Sequence, residues 1–517
     1  MTKLTLNSLQ KYWIGFAFLC VGLIYFLYLP VNYDFDGTVF SQYLRYGLVN
    51  NDSTFIHHPQ HPLYMPFNYY LYKALNALTG YNVLEYFHLQ LSSFIFGLLT
   101  LFFSYKILSK ITVSRFYQVS GVLLAALSYC LWYYSVEAEV HMPGLFFITA
   151  GFYLLFYKEG NPFALSRILL TVICFVAAAG FHLTNGLIVF SIFFIFIIEK
   201  QKFSNIFKFY ALYSFFLAVG LVFFGWLIKL NLLKFYLNQL KGNDPLAGYT
   251  IVYSEKFTWS GIRESFRTIS HAWVFPVSSL FEYVVLGLFI AGLVFVLWKC
   301  FKNKDPQHLT RFGLWMLPYM IFFSVWNPRN VEFKLNIIFP FILLFIATLS
   351  VLPARKTNPW VWILILVILG TGGINFYYSI LPSNDISRNT GYMMAEAVKN
   401  VTEPGSIVVI AGCGSEVSTY GKIYFPYFAL RKTLFLDWVL GHGSTLEQFG
   451  NQLYTELKKG TAVYLFSEIL EETEALKTVF KNHQISKEEY FRFLGSLKLG
   501  ERKALPGGYY LERLHLP

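Results

Sequence analysis

Apolar runs long enough to cross a bilayer recur along most of this chain and restrict it to a few architectures. A transmembrane helix needs about 20 apolar residues, and about eleven runs reach or approach that length. The pattern predicts a polytopic α-helical membrane protein with about eleven transmembrane helices. The runs are residues 12–29, 87–108, 116–134, 144–157, 168–181, 187–198, 209–228, 280–298, 312–326, 337–352 and 360–380.

The distribution of charge agrees with a membrane protein and excludes a nucleic-acid partner. Only 14% of the residues are charged and 56% are hydrophobic, whereas soluble domains are about 25% charged. The net charge of +12 could suggest nucleic acid. The basic residues, however, lie mostly in short loops between the apolar runs, which is the positive-inside pattern of inner, plasma or endoplasmic-reticulum membrane proteins.

The same loops predict the orientation of the chain. Clusters of Lys and Arg alternate correctly with the apolar runs and all fall on the side of Lys3 and Lys11. The N-terminus is therefore expected in the cytoplasm, and an odd number of spans places the C-terminal part outside. The basic loops are residues 106–115, 158–167, 200–208, 299–311 and 355–356.

The first outer loop, residues 30–64, collects side chains that suit chemistry on a lipid-borne phosphate. Asp34 and Asp36 follow the first apolar run, and a carboxylate there could take a proton from an acceptor hydroxyl. Asp36 could equally be the N-cap of a helix along the membrane. Arg45 is expected on the same side of that helix, where it would meet either a phosphate or only lipid headgroups.

Three histidines, His57, His58 and His61, lie in the same loop. They could bind a metal, but no carboxylate or cysteine stands at ligand spacing. Hydrogen bonding to sugar or phosphate is the favoured interpretation for them, and no metal or cofactor is expected.

Further outer segments carry polar groups close to the membrane, among them residues 135–143, residues 327–336 and the turn at 182–186, and all are expected to converge on one face of the bundle. Carboxylates within a few residues of two spans are costly unless they are used, although simple loop solvation is the alternative. Cations on the outer side oppose the positive-inside bias, so an anionic ligand such as a lipid-linked phosphate would account for them. The segments contribute Glu137, Glu139 and His141; His182 and Asn185; and Arg329, Glu332 and Lys334.

From residue 382 the composition becomes that of a soluble domain. Strands are predicted at 406–411, 433–438 and 461–467, with helices at 387–401 and 446–459. This alternation predicts a small extracytoplasmic α/β domain, residues 382–517, with a mainly parallel sheet. The transmembrane domain would then be residues 1–381, with its catalytic first outer loop at 30–86. The GCGS turn at 412–415 lacks the spacing of a phosphate-binding loop, so a tight turn is expected.

Several short motifs resemble those of the GT-C glycosyltransferases, membrane enzymes that take sugar from a polyprenyl phosphate. DGTVFSQYLRYGL resembles their acidic motif and juxtamembrane helix. HPQHPLY, AEVHMPGLFF and HLTNG are similar to motifs of the branch that includes protein O-mannosyltransferases. The order of the motifs, the topology and an outer C-terminal domain also agree. The resemblance is best over about the first two hundred residues.

The resemblance implies roles for individual residues. Asp36 falls on the catalytic aspartate, while Gly37 stands where many relatives have a second acidic residue, which leaves Asp34 as the possible second carboxylate. His58, Pro59 and Pro62 fall on the loop of the branch, Glu139 falls on its acidic turn, and Arg329 lies where the donor phosphate is often held.

The combined interpretation is an integral membrane glycosyltransferase. It would move a hexose or pentose from a polyprenyl-phosphate donor to a protein, lipid or glycan acceptor, with inversion. The alternatives are a transporter or flippase of a lipid-linked substrate and a non-catalytic GT-C-like protein. The candidate residues are Asp36 and Asp34 for catalysis, Arg45, Arg329 and Lys334 for the donor phosphate, and His58, His61, Glu137, Glu139, His141 and His182 for substrate.

Overall fold

The computed structural model of this chain describes residues 3–51, 60–227, 229, 231–232, 234, 258–303, 306–351 and 358–517. The chain divides into two compact units. The first unit comprises Met1–Pro30 and Tyr43–Asn384, and the second comprises Val31–Gln42 and Asp385–Pro517. The segment that carries Asp34 and Asp36 therefore belongs to the same unit as the C-terminal part of the chain.

The first unit is helical, and each predicted apolar run lies on one or two of its helices. Short helical turns occur at Leu183–Leu187, Glu332–Lys334, Phe376–Ile380 and Leu381–Ser383. The helix Phe35–Asn50 begins within the second unit. The longer helices are Lys3–Leu27, Phe35–Asn50, Tyr64–Thr79, Glu85–Ile111, Arg115–Leu127, Tyr129–Val136, His141–Phe156, Leu165–Phe181, Ile188–Ile198, Phe203–Leu227, Trp259–Trp273, Ser279–Asn303, Pro306–Val325, Leu335–Leu349 and Pro359–Asn375.

Five helices of the described residues are long and apolar enough to cross a membrane. Four other apolar helices are shorter, with 10–17 residues. The chain is thus an integral membrane protein of mainly helical structure, but the predicted count of eleven spans is not confirmed. The five helices are Glu85–Ile111, Phe203–Leu227, Ser279–Lys299, Glu332–Leu349 and Pro359–Ser383.

The apolar run at 116–134, predicted as one span, forms two helices that meet at an angle of 65°. Ser128 lies between them in an extended conformation, with φ −66° and ψ 142°. Its hydroxyl donates to the carbonyl of Ala125 at 2.7 Å, and this bond competes with the backbone ladder as serine hydroxyls often do. The bend directs Tyr129–Val136 towards the acidic turn that follows it.

Two glycines allow the close packing that positions this turn and its neighbours. A Cβ atom added to Gly97 would lie 2.4 Å from the hydroxyl oxygen of Ser135. One added to Gly144 would lie 2.0 Å from the amide nitrogen of Asn185. Since a side chain at either position would overlap its neighbour, the sequence keeps glycine where these elements touch.

The second unit contains a five-stranded mixed sheet. Its strands are β1 Ile407–Ile410, β2 Lys432–Phe435, β3 Val463–Phe466, β4 Lys498–Ala504 and β5 Tyr510–His515. Their spatial order is β2-β1-β3-β5-β4. β1 pairs in parallel with β2 and β3, whereas β5 runs antiparallel to β3 and β4. The three predicted strands are present, and the last two strands were not predicted.

Helices cover both faces of this sheet, which explains why β1 and β3 are apolar throughout. Val409 and Leu465 face one core, while Val408 and Tyr464 face the other. The helices of the unit are Thr390–Val401, Glu416–Tyr424, Leu436–Gly441, Leu446–Lys458, Ser467–Leu470, Glu474–His483 and Lys487–Gly495.

Candidate active site

An acidic turn in the first unit follows the helix Tyr129–Val136 and leads into His141–Phe156. Glu137 is fully buried; its carboxylate accepts the hydroxyl of Tyr86 and the backbone N–H of Ala138, the latter at 3.0 Å. Glu139 is also buried, and its carboxylate accepts the N–H of Val140 at 3.1 Å. These bonds fix the orientation of both carboxylates at the turn.

His141 lies between two carboxylates. Its Nε2 atom is 3.5 Å from an oxygen of Glu332 and 4.0 Å from an oxygen of Glu139. Glu332 is held in turn by Asn330, whose amide nitrogen donates to its carboxylate at 2.6 Å. An imidazole in this position can bond to a sugar hydroxyl.

Three imidazole rings from separate parts of the sequence form a row. The ring centroid of His182 is 4.5 Å from that of His61 and 5.1 Å from that of His141. His182 caps the short helix Leu183–Leu187, and its Nδ1 atom accepts the N–H of Thr184 at 3.2 Å. Because Nδ1 accepts, the neutral ring of His182 carries its proton on Nε2, on the other edge of the ring.

Backbone hydrogen bonds fix the loop that carries His61. The N–H of Leu63 donates to the carbonyl of Gly180 at 2.9 Å, and the N–H of Leu183 donates to the carbonyl of Gln60 at 3.0 Å. These two hydrogen bonds therefore fix the position of the loop relative to the turn around His182.

Asn185 joins this turn to a neighbouring helix. Its amide nitrogen donates to the carbonyl of Ala178, and its amide oxygen accepts from Asn336, each at 3.1 Å. The hydroxyl of Tyr319 donates to the backbone carbonyl of Asn185 at 3.1 Å. The ring of Phe333 lies 5.8 Å and 5.7 Å from the rings of His141 and His182. The motifs at 135–143, 182–186 and 327–336 are thus brought together, as the sequence predicted.

Tyr64 lies close to the acidic turn and is completely buried. Burial, reinforced by the negative charges of Glu139 and Glu137, raises the pKa of Tyr64 well above its usual value. Its hydroxyl therefore keeps its proton at neutral pH and remains a hydrogen-bond donor.

The two cations predicted for the donor phosphate differ in their surroundings. Arg329 is exposed. Lys334 is fully buried, and its ammonium group donates to the carbonyl of Phe323 at 3.2 Å. Among the residues that the structure describes, no carboxylate lies within 4 Å of this ammonium group. Arg329 can therefore make a direct contact with an anion, whereas the amino group of Lys334 is bonded inside the protein.

Asp34 and Asp36 lie at the start of the helix Phe35–Asn50, in the second unit. The carboxylate of Asp34 accepts the N–H of Asp36 at 3.0 Å, and the carbonyl of Asp34 accepts the N–H of Thr38, also at 3.0 Å. Asp34 is therefore the N-cap, and the expectation that Asp36 caps this helix was wrong. Asp36 occupies the first turn of the helix and is exposed.

The remaining predicted residues lie elsewhere. Arg45 forms an ion pair with Glu85, with a distance of 2.9 Å between Nη2 and the carboxylate. Nine residues are about two and a half helical turns, so Arg45 projects from the opposite side of its helix to Asp36, and the expectation of a shared side was wrong. Its contact with a phosphate stays a prediction. His57 and His58 lie outside the described residues.

Sequence reasoning missed several participants. Tyr86, Phe333 and Asn336 were not singled out, although each contacts the acidic turn, the histidine row or Asn185. Asn336 carried a usable signal, because an asparagine at the start of an apolar run must find a hydrogen-bond partner. Aromatic residues such as Tyr86 are too frequent in this chain to be informative alone.

Comparisons with known proteins give a match in fold but none in sequence. No protein-family model matches the chain, and no curated protein sequence matches it. The structure of ArnT from Cupriavidus metallidurans bound to undecaprenyl phosphate matches with a TM-score of 0.59 at 12% identity. The match covers 96% of this chain and 97% of that chain. The chain has the fold of the GT-C superfamily.

A second GT-C structure supports the same assignment. The oligosaccharyltransferase of Archaeoglobus fulgidus in its apo form matches with a TM-score of 0.55 at 12% identity, over 97% of this chain and 74% of that chain. AglB from the same organism, in complex with an inhibitory peptide and a dolichol-phosphate, matches with a TM-score of 0.51 at 11% identity, over 97% of this chain and 74% of that chain. At these identities the comparisons establish the fold.

Proposed function

We propose that this protein is a membrane glycosyltransferase that moves a hexose or pentose from a polyprenyl-phosphate donor to an acceptor hydroxyl on a protein, lipid or glycan. Its N-terminus would lie in the cytoplasm and its second unit outside, as the segregation of Lys and Arg indicates. A reporter fused after Ser387 should then be active in the outer compartment. Activity of that fusion in the cytoplasm would contradict this orientation.

The buried cluster of acids and imidazoles in the first unit carries the proposal. Glu139, His141 and Glu332 have side chains that are 6%, 10% and 20% exposed. They lie at the ends of helices that are otherwise strongly apolar. Ionisable side chains inside a membrane bundle are costly and usually mark a substrate site. Fold similarity to a protein bound to undecaprenyl phosphate supports a lipid-linked phosphate as the ligand.

The proposed chemistry is a single displacement. The carboxylate of Asp36 takes the proton of the acceptor hydroxyl, and the hydroxyl oxygen attacks the anomeric carbon of the sugar. The bond between that carbon and the phosphate oxygen breaks, and polyprenyl phosphate leaves with its negative charge. Asp34 orients Asp36 by accepting its N–H. The exposed Asp36 can approach a substrate, so it is the better candidate for the base.

The leaving phosphate needs positive charge, and the sugar needs hydrogen-bond partners. Arg329 is assigned to contact the phosphate, and Lys334 remains a second candidate for donor binding. His61, His141, His182, Glu137 and Glu139 are assigned to the donor sugar and its phosphate. The bonds that already hold these side chains reduce the reorganisation needed when substrate binds.

The test is sugar transfer by the purified full-length protein from a panel of polyprenyl-phosphate sugars. Asp36→Asn keeps the size of the side chain and removes its basicity, so transfer should fall about a hundred- to ten-thousand-fold while donor binding persists. Asp34→Asn retains an oxygen that can cap the helix, so it should have a milder effect.

The paired variants also decide which aspartate is the base. Near-normal transfer by Asp36→Asn together with loss of transfer by Asp34→Asn would make Asp34 the base. Normal transfer by both variants would contradict the enzymatic role of this segment.

A further inference from the structure

The second unit contains a cavity of about 360 Å³ to which no role has been assigned above. It lies between the helix Thr390–Val401, the helix Glu416–Tyr424 and the turn Pro506–Gly508. Its size and mainly apolar wall are typical of sites that bind a small group. The apolar wall is formed by Met393, Met394, Val417, Tyr420, Phe425 and Tyr509.

The floor of the cavity belongs to the core of the unit. Met394 and Phe425 are buried members of the cluster that covers one face of the sheet. Met393, by contrast, is 42% exposed and stands at the opening. The shape of the cavity is thus set by the fold, while a flexible methionine at the opening can adapt to different occupants.

Polar groups surround the opening. The hydroxyl of Thr390 donates to the carboxylate of Glu416 at 2.7 Å, and Ser387 also lines the cavity. Gly507 and Gly508 form an exposed turn with positive φ angles of 71° and 80°, so backbone amide groups are accessible there. An alkyl chain would not need such groups, whereas a peptide could bond to them with its own backbone.

The cavity adjoins the segment that carries the proposed base. The ring of Tyr420, which forms one wall, lies 6.2 Å from the ring of Phe35. Burial, followed by the charges of Glu416 and Asp34, raises the pKa of Tyr420. An occupant of the cavity would therefore lie about one side chain away from the Asp34–Asp36 turn. The carboxylates of Glu416 and Asp34 disfavour an anionic occupant of the cavity.

We propose that this cavity binds an apolar side chain, aromatic or aliphatic, of a peptide acceptor. This assignment rests on the proposed function, since it makes the occupant part of the molecule whose hydroxyl is glycosylated. The apolar wall selects the side chain, and the polar opening accommodates the peptide backbone. The acidic surroundings favour peptides that are neutral or cationic.

The assignment is tested by fluorescence anisotropy with the full-length protein in phosphatidylcholine nanodiscs. The probes are labelled, uncharged hexapeptides with one threonine and one variable residue, which is Phe, Leu or Ala. The Phe and Leu peptides should bind about ten- to a hundredfold more tightly than the Ala peptide, because the cavity removes an apolar side chain from water.

Two variants fill the cavity and one serves as a matched control. Met393→Trp and Val417→Phe should each abolish the preference for Phe and Leu. Leu516→Trp changes a side chain of similar exposure, 43%, that does not line the cavity, and it should keep the preference. Melting temperatures identify any variant that fails to fold, and two filling variants guard against that outcome.

The outcomes separate this assignment from the proposed function. A preference that survives in both folded filling variants, or no preference in the wild-type protein, overturns the peptide site. Displacement by alkyl glucosides of increasing chain length, without any peptide preference, also overturns it in favour of a lipid tail. Cavity-dependent peptide binding by a wild-type protein that transfers sugar from none of the polyprenyl-phosphate donors supports the site and contradicts the proposed function alone.

Discussion

Glu139 in the first unit and Glu468 in the second unit are both buried carboxylates next to a turn, but their neighbours differ in kind. The carboxylate of Glu468 accepts the N–H of Ala411 at 2.8 Å and the hydroxyl of Ser415 at 2.6 Å, and it also accepts the hydroxyl of Ser418. None of these three donors titrates near neutral pH. Glu139 also accepts one backbone N–H, but its carboxylate lies 4.0 Å from an imidazole that is shared with a second carboxylate.

The difference separates a structural acid from a candidate functional acid. Glu468 closes the glycine-containing turn at residues 412–415, whose Gly412 and Gly414 have φ angles of 91° and 74°. Its three fixed donors specify one geometry. Glu139 belongs to a group of ionisable side chains that can bond to a ligand. The degree of burial alone does not distinguish the two glutamates, since both are buried.

The largest contrast is expected from removing the charge of each glutamate. Glu139→Gln should lower sugar transfer about ten- to a hundredfold, because a charge-assisted hydrogen bond to substrate is lost. Its melting temperature should stay near that of the wild-type protein. Glu468→Gln should destabilise the protein by about 1–3 kcal/mol, because the carboxylate that its donors surround is no longer charged.

Transfer per folded molecule should remain normal in Glu468→Gln. The two properties are measured on the same preparations, by thermal unfolding and by a donor-transfer assay. If Glu139→Gln unfolded the protein and left specific transfer unchanged, the acidic turn would be structural and the contrast with Glu468 would disappear.

A smaller effect is expected at the exposed cation of the first unit. Arg329→Ala should raise the dissociation constant of the polyprenyl-phosphate donor about tenfold, because one charge-assisted contact is lost. Arg263, which is 70% exposed, provides a matched control, and Arg263→Ala should leave donor binding unchanged. Equal donor affinities in both variants would mean that the phosphate is held elsewhere.

The smallest effect concerns a second pair of histidine and carboxylate. In the second unit, Nε2 of His483 lies 3.0 Å from the carboxylate of Asp437. Burial would raise the pKa of Asp437, but hydrogen bonds from Asn482, His483 and Cys413 outweigh it and hold the pKa below its usual value. The stability contributed by the ionised carboxylate is therefore present above about pH 4 and is lost as the pH falls below that value.

Asp437→Asn should accordingly lower the free energy of unfolding by about 1 kcal/mol at pH 7. The difference from the wild-type protein should shrink as the pH falls towards about 3. Glu447→Gln, at an exposed position of the same unit, serves as the control. A difference that is constant from pH 7 to 3, measured by thermal unfolding, would show that Asp437 acts through its shape and not through its charge.

Much of the fold could be predicted because its signals are local. Apolar runs identify the helices, and continuous apolar segments identify the buried strands β1 and β3. β4 and β5 were missed because this signal is absent from them; β4 reads KLGERKA and has no apolar run. Its pairing with β5 depends on contacts that a single strand sequence does not reveal.

The candidate site could be predicted only where ionisable residues occur close to the membrane, where they are not expected. Glu137, Glu139 and His141 were recognisable because ionisable groups at membrane depth are rare. The sequence could not show whether Asp34 or Asp36 is the N-cap, because aspartate is a good cap at either position and the two residues are close in sequence. The hydrogen bond between Asn336 and Asn185 connects residues that are 151 positions apart in the sequence, and no local pattern reveals such a contact.

The central claim is a single displacement at the anomeric carbon with an aspartate as base. Its most direct test is the configuration of the sugar in the product, determined by NMR on material made by the wild-type protein from a donor of known configuration. The product should have the opposite anomeric configuration to that of the donor, because one attack from the face opposite the phosphate inverts the centre. Retention would require a covalent glycosyl-enzyme intermediate and would exclude a single displacement.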